Sequence, residues 1–237
     1  YTLSLHDALP IYIEILDRDG QEIMTQKSVF SSTGFLMDIS MSGDGSKLAA
    51  VFICIDKGTI RSKVLFYDLS GKNGDDVIVG TFDHYESTLL VKVNFMEKNK
   101  VCVVGESGLS VYDFDETVRP VYEDLDFDGE IETLFFDDRY IGMVVQENDS
   151  ASRYALKVMD LSGNYVLDMD LDFSYSGADF AGKNVLMYSY NGCLMYSFAG
   201  VEKFYHEFDR HIEALKSADG RNIVLGTNSD TEFLYLR

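Results

Sequence analysis

The chain has 237 residues, of which 46% are hydrophobic and 25% are charged. These values are ordinary for a globular protein with a sizeable core, and they exclude disordered and collagen-like classes. Asp and Glu together number 40, Lys and Arg number 20, and the formal net charge is -20. Because such a surface repels phosphate, the composition excludes a general nucleic-acid binder.

Residues 1–11, YTLSLHDALPI, resemble the translation of a common sequencing-library adaptor in one reading frame. The alternative is an edge strand or a leader, but the segment lacks the basic, apolar and cleavage-site regions of a signal peptide. We therefore expect residues 1–11 to be an artefact. We expect residues 12–237 to be a partial domain whose true N-terminus lies upstream.

Short runs of alternating apolar and polar residues continue from residue 12 to the end, each closed by Gly, Asp, Asn or Ser. Such runs predict antiparallel strands with one buried face. They recur in one internal order: an alternating strand, a strongly apolar strand, a strand that closes on an aromatic or aliphatic residue plus Asp, and an outer strand. The predicted units are, in chain order, 12–30, 35–85, 88–128, 131–173, 175–210 and 211–237.

The spacing of these units indicates their architecture. Asp68, Asp113 and Asp160 close successive third strands, so the repeat is about 40–50 residues, the length of a four-stranded propeller blade. A β-sandwich shares the alternation but predicts no unit that recurs with the same internal order. The sequence therefore predicts an all-β chain that forms an incomplete β-propeller of four-stranded antiparallel blades, with about five blade equivalents.

One window, residues 202–218, is ambiguous. Apolar side chains spaced by four, four and three residues predict an amphipathic helix; they are Phe204, Phe208, Ile212 and Leu215. The repeat instead places an outer strand, a connector and a first strand here. We favour the strands, and the helix is the alternative.

Turn and strand-end motifs carry a family resemblance. The SGDG turn at 42–45, the SADG turn at 217–220 and the strand ends YDLSGK (67–72) and MDLSGN (159–164) resemble those of WD40-like and YVTN-like β-propellers. In detail the chain resembles an uncharacterised family of propellers from Gram-positive bacteria. That resemblance implies a single N-terminal membrane anchor and a position on the extracytoplasmic face of the cell membrane; a cytoplasmic protein is the alternative.

The chain offers one candidate metal site, a calcium loop formed by Asp124, Asp126, Asp128 and Glu132. The carboxylates alternate along the chain and Gly129 supplies a sharp turn, as in the first nine positions of such loops. The twelfth position, where a calcium loop carries a bidentate Glu, is Phe135. The alternative is a strand with its acidic face in solvent. Apart from calcium, we predict no cofactor.

Cysteines and histidines form no recognisable ligand spacing. The cysteines lie far apart in apolar strands, without a CxxC pair, and we expect buried free thiols at Cys54, Cys102 and Cys193. The histidines outside the first eleven residues form no HxxxH or HExxH arrangement, and we expect surface or interface positions for His84, His206 and His211.

Catalytic motifs are equally lacking, because the sequence contains neither a GxSxG elbow nor a GxGxxG loop. We therefore predict a non-catalytic binding or sensing module on the bacterial cell envelope. Its partner would be a protein or another envelope ligand, not nucleic acid, and it would meet the membrane only through an upstream anchor.

The alternative is a propeller enzyme, a hydrolase or oxidoreductase that holds a metal with channel carboxylates. In that case polar residues of the first strands should converge on a metal-sized site. If they pair with one another instead, the enzyme hypothesis fails. The candidate residues are Asp38, Lys92, Thr133, Asp179 and Glu213.

Overall fold

The computed structural model describes most of the chain as β-strands. The described ranges are 11–16, 18–28, 34–56, 58–70, 77–86, 88–106, 108–127, 129–147, 153–218 and 222–235. Residues 1–10, most of the predicted adaptor segment, lie outside them. Within these ranges there is one short 3-10 helix, Glu97–Asn99, and no α-helix.

The strands cluster into two compact units, residues 1–126 and 127–237. The first unit holds three antiparallel sheets of described residues. Sheet 1 contains β1 (Ile11–Leu16) and β2 (Glu22–Ser28). Sheet 2 contains β3 (Phe35–Met41), β4 (Lys47–Asp56), β5 (Thr59–Asp68) and β6 (Ile78–Glu86). Sheet 3 contains β7 (Leu90–Phe95), β8 (Lys100–Gly105), β9 (Gly108–Phe114) and β10 (Val118–Asp126).

The second unit repeats this arrangement in three further antiparallel sheets. Sheet 4 contains β11 (Gly129–Phe136), β12 (Tyr140–Glu147), β13 (Tyr154–Asp160) and β14 (Tyr165–Leu171). Sheet 5 contains β15 (Gly177–Phe180), β16 (Asn184–Tyr188), β17 (Gly192–Ser197) and β18 (Glu202–Glu207). Sheet 6 contains β19 (Ala214–Ser217), β20 (Asn222–Gly226) and β21 (Thr231–Tyr235). In every sheet the strand order follows the chain order, which confirms the predicted all-β class with four-stranded antiparallel units.

The second strand of each four-stranded sheet is buried, and within each unit the neighbouring sheets pack against it. In β4, Ala49 and Val51 pack toward sheet 3, whereas Leu48, Ala50 and Phe52 pack toward sheet 1. The second unit has the same plan, with one apolar cluster between sheets 4 and 5 and another between sheets 5 and 6. Cores between sheets explain why the apolar runs recur at the same place in each unit.

The ambiguous window holds two strands, β18 and β19, so the strand prediction is confirmed and the helix alternative is wrong. The helix-like spacing has a different cause. Phe204 lies on β18, Phe208 and Ile212 lie in the connector, and Leu215 lies on β19, yet all four reach the cluster between sheets 5 and 6. A strand, a connector and a second strand thus bury the same four residues that an amphipathic helix would bury.

Two of the motifs that carry the family resemblance, at 42–45 and 159–164, form turns held by an aspartate, whereas the motifs at 67–72 and 217–220 lie partly outside the described residues. The Asp44 carboxylate accepts hydrogen bonds from Ser42 Oγ at 2.7 Å, Ser46 N at 3.0 Å and Ser46 Oγ at 2.8 Å, and these bonds lower its pKa to about 2. Asp160 likewise accepts hydrogen bonds from Ser162 N at 2.8 Å and Asn164 N at 3.0 Å.

The two ends of each sheet need names. We call the end that carries the turn from the first to the second strand the turn end. The opposite end, where the outer strand passes to the next sheet, is the connector end.

Candidate functional site

The first strands of three sheets carry the same irregularity. In β3, β7 and β11 the register shifts by one residue, just before Asp38, Lys92 and Thr133 respectively. A β-bulge of this kind redirects the side chains that follow it. The bulges therefore set the side-chain directions of Asp38, Lys92 and Thr133.

Asp38 joins sheet 2 to sheet 3. Its Oδ2 accepts a hydrogen bond from the backbone N–H of Val93 at 3.0 Å and lies 3.2 Å from Lys92 Nζ. Further along β3, Ser40 Oγ accepts a hydrogen bond from the backbone N–H of Phe95 at 2.9 Å. The Asp38 carboxylate is thus engaged with the neighbouring first strand.

Asp179 makes the corresponding contacts in the second unit. Its Oδ2 accepts the backbone N–H of Ser217 at 3.2 Å, and its Oδ1 lies 3.5 Å from Lys216 Nζ. Both inner-strand carboxylates therefore hold adjacent sheets together. Among the described residues, no three metal-ligating side chains gather in one place.

The two other candidates take different partners. Thr133 Oγ1 shares a hydrogen bond of 2.9 Å with the Tyr175 hydroxyl. Glu213 was expected on a first strand, but that expectation is wrong, because β19 begins at Ala214 and the position equivalent to Lys92 is Lys216. Glu213 instead lies 3.2 Å from Nδ1 of His211.

The calcium loop is described only in part. Asp126 is the last residue of β10 and is exposed, and Glu132 is the extra residue at the bulge of β11. Asp128 and the side chain of Asp124 lie outside the described residues. The calcium site stays a prediction.

The cysteines are free thiols, as predicted, and the predicted burial is confirmed for two of them but is wrong for Cys54. Cys102 and Cys193 are buried, whereas Cys54 is half-buried, with its Sγ 3.5 Å from the carbonyl of Arg61. Burial raises the pKa of Cys102, and it raises the pKa of Cys193 to about 11.

The described histidines lie at the surface. His206 is exposed opposite Cys193, and His211 stacks on the Tyr190 ring with 4.1 Å between the ring centroids. Their predicted surface position is confirmed, and the His84 side chain lies outside the described residues.

A polar cavity of about 550 Å³ opens at the connector end of sheet 4. We call it the acidic-aromatic pocket, and its principal walls are Glu132, Tyr154, Asp172, Phe173, Ser174 and Tyr175. Tyr175 is half-buried, and burial raises the pKa of its hydroxyl, with the Glu132 carboxylate acting in the same direction. Sequence reasoning missed this pocket, because its walls come from three strands and a connector without any spacing motif. The one signal was Glu132, which was selected for a different site.

Two further cavities lie within the units. A groove of about 770 Å³ between sheets 5 and 6 has mainly apolar walls, including Cys193, Phe204, Phe208 and Leu234. A smaller cavity of about 280 Å³ lies at the connector end of sheet 3, beside Tyr85 and Ser110. Within the described ranges, no helical segment has the length and apolarity required to cross a bilayer.

Comparison with known proteins places the chain in a family and a fold. A family model described as "Family of unknown function (DUF5711)" matches residues 4–236. This match begins inside the segment predicted to be adaptor-derived and gives that prediction no support. A search of curated proteins finds no match.

Three solved structures illustrate the likeness in fold. The WD40 domain of Neurospora crassa Pan2 is 12% identical, with a TM-score of 0.53, over 94% of this chain and 68% of that chain. Sqt1 from Chaetomium thermophilum is 11% identical, with a TM-score of 0.58, over 86% of this chain and 58% of that chain. Chaetomium thermophilum Sqt1 bound to the N-terminus of ribosomal protein L10 is 14% identical, with a TM-score of 0.57, over 95% of this chain and 65% of that chain. The predicted β-propeller fold is confirmed, and the chain spans only 58% to 68% of these structures.

Proposed function

The chain belongs to the DUF5711 family of unknown function, and on that premise we propose that it is a non-catalytic protein-binding module with a β-propeller fold. The contacts of Asp38 and Asp179 carry the proposal. A metal-dependent hydrolase or oxidoreductase of this architecture would need inner-strand carboxylates as ligands. Here these carboxylates bind the next sheet's lysine and backbone N–H, which favours a scaffold over a reaction centre.

The partner that we propose is a protein. The net charge of -20 disfavours nucleic acid and favours ligands of neutral or positive charge. One solved structure of similar fold, Sqt1, is bound to the N-terminus of a ribosomal protein. A propeller can therefore take a terminal segment of another chain, and we propose the same class of ligand here.

We propose that the partner binds at the connector end. At the turn end, aspartates such as Asp44 and Asp160 are already satisfied by neighbouring serines and backbone N–H groups. At the connector end of sheet 4, Glu132 and Asp172 are exposed and form no ion pair with any described residue. Polar groups without internal partners are the ones that a ligand can engage at little cost in lost hydrogen bonds.

Photo-crosslinking tests this assignment. The photoreactive residue p-benzoylphenylalanine is placed at Ser174 on the connector end or, as a matched control, at Ser162 on the turn end; both positions are exposed. Cells that express the natural full-length protein are irradiated, and adducts are identified by mass spectrometry. We expect a discrete protein adduct from Ser174 that Ser162 does not give. Adducts of equal yield and identity from both positions would count against the proposal.

The family resemblance supports a location on the extracytoplasmic face of the bacterial cell membrane, through an upstream anchor. Fractionation of cells that express the full-length gene product tests this part separately. We expect the protein in the membrane fraction and sensitivity to protease added outside intact protoplasts. Recovery in the soluble cytoplasmic fraction would overturn the location and leave the protein-binding proposal standing.

A further inference from the structure

The acidic-aromatic pocket has the charge of a cation site. Two of its walls are the carboxylates Glu132 and Asp172, and none of the described residues that line it is Lys, Arg or His. Arg153, which precedes Tyr154, is held elsewhere by Glu147 at 3.6 Å and Asp170 at 3.5 Å. An anionic group would therefore be repelled by the negative charge of this pocket, whereas a cationic group would meet two available acceptors.

Aromatic rings form three further walls. Tyr154, Phe173 and Tyr175 line the cavity and also pack against the apolar cluster between sheets 4 and 5. The face of an aromatic ring attracts a cation, and its body covers the methylene stem of a long side chain. Rings beside carboxylates thus suit a ligand that has an apolar stem and a charged head.

The pocket is held in shape by contacts outside its mouth. The Tyr175 hydroxyl is hydrogen-bonded to Thr133 Oγ1 at 2.9 Å, which ties the connector to β11. Phe173 makes an edge contact with Tyr205 of sheet 5, with 6.4 Å between the ring centroids. Glu132 stands on the bulge of β11, so its side chain is directed by the backbone rather than by a flexible loop. A preorganised site of this kind loses less entropy when a side chain enters it.

We propose that the acidic-aromatic pocket binds a basic side chain, lysine or arginine, of the protein partner. This inference rests on the proposed function, and it specifies which chemical group of the partner the propeller recognises. The ammonium or guanidinium group would lie between Glu132 and Asp172, and the stem would lie along the rings of Tyr154 and Tyr175.

A titration followed by NMR tests the chemistry. The probe is N-acetyl-lysine N-methylamide, and the readout is the ring signals of Tyr154 and Tyr175 in the full chain. We expect a saturable shift with this probe and none with the norleucine analogue, which has the stem without the charge. Equal shifts with both compounds, or no saturable shift with lysine, would overturn the inference.

Matched variants distinguish binding of the probe in the pocket from its general electrostatic attraction to an acidic protein. The double variant Glu132→Gln with Asp172→Asn removes two charges from the pocket. Asp138→Asn with Glu202→Gln removes two exposed charges elsewhere. We expect the pocket variant to weaken binding about fivefold and the control variant by less than about twofold. Equal weakening in both would show nonspecific attraction and sink the inference.

The two proposals fail separately. If the Ser174 position captures a partner protein but the lysine probe does not bind, the basic-side-chain inference is wrong and the protein-binding function stands. If the lysine probe binds in the pocket but Ser174 captures no protein, the proposed function is wrong and the cation chemistry of the pocket stands. Thermal unfolding of both double variants, expected to match the parent because all four residues are exposed, confirms that the comparison is between folded proteins.

Discussion

Asp38 and Asp179 make the same two contacts at equivalent positions of β3 and β15. Each accepts a backbone N–H from the first strand of the next sheet, Val93 or Ser217, and each lies beside a lysine of that strand. We call this contact between the first strands of two adjacent sheets a joint. A backbone N–H at a joint needs an acceptor, and the acceptor here comes from the adjoining sheet. The joint therefore contributes to stability mainly through a hydrogen bond, and its ion pair is secondary.

Substitution of Asp38 distinguishes these contributions. Asp38→Ala leaves the Val93 N–H without its acceptor and should lower the free energy of unfolding by about 1–3 kcal/mol. Asp38→Asn keeps an acceptor oxygen and loses only a partly exposed ion pair, so its cost should stay below about 1 kcal/mol. Urea denaturation measures both, with the exposed Asp83→Ala as control. Equal losses for Ala and Asn would show that the charge, not the hydrogen bond, stabilises the joint.

The Asp44 turn should weaken in strong acid. Hydrogen bonds from Ser42 and Ser46 lower the pKa of Asp44 from 3.8 to about 2, so the folded state favours the ionised form. Its stabilising effect is present above pH 3.8 and is lost as the pH falls through about 2. An NMR titration of the Asp44 carboxyl carbon measures this pKa. Ser46→Ala, which removes one donor, should raise it, and a midpoint near 3.8 in the parent protein would contradict the turn geometry.

Thiol reactivity should rank the cysteines by burial. The raised pKa of Cys193, about 11 against 9.0, reduces its thiolate fraction at neutral pH about 100-fold. We expect Ellman's reagent to modify half-buried Cys54 first in the native protein, and Cys102 and Cys193 only after unfolding. Mass spectrometry of partly modified protein identifies the site, and Cys54→Ser should abolish the fast phase. Rapid modification of Cys102 in the native chain would disagree with its position.

Calcium binding is tested by thermal unfolding. If the loop that contains Asp124, Asp126, Asp128 and Glu132 binds calcium, the melting temperature should rise with calcium relative to chelator. Asp126→Ala should abolish that difference. Superimposable melting curves of the parent protein in calcium and in chelator would exclude the site.

Gly142 of β12 should tolerate no side chain. A Cβ at this position would overlap the ring of Phe135, which is buried and lies on the neighbouring strand. Gly142→Ala should therefore cost about 1–3 kcal/mol through overpacking. Phe135→Leu creates space, so the double variant should lose less than the two single losses added together. Simple additivity in urea denaturation would mean that the two residues do not compete for the same space.

The strands were predictable because the burial of alternate side chains is a local property that the sequence displays directly. The one-residue bulges were not predictable, because a register shift leaves the alternation nearly intact on either side. Glu213 was assigned to a position that Lys216 occupies for another reason: the repeat predicts the order of the strands but not the residue at which β19 begins. The pocket is harder still to predict, since Glu132 lies on β11 and Asp172 lies in the connector after β14, far away in the chain, yet both line one cavity. No local pattern marks residues that meet in this way.

The joints described for Asp38 and Asp179 also constrain how such a protein can gain or lose sheets. Asp38 of sheet 2 pairs with Lys92 of sheet 3, and Asp179 of sheet 5 pairs with Lys216 of sheet 6. Duplication of sheet 2 alone would set two aspartates side by side, whereas duplication of sheets 2 and 3 together would keep every acid opposite a base. Each of these two contacts therefore requires a basic residue at one position of the following first strand, which limits the sheets that can follow sheet 2 or sheet 5.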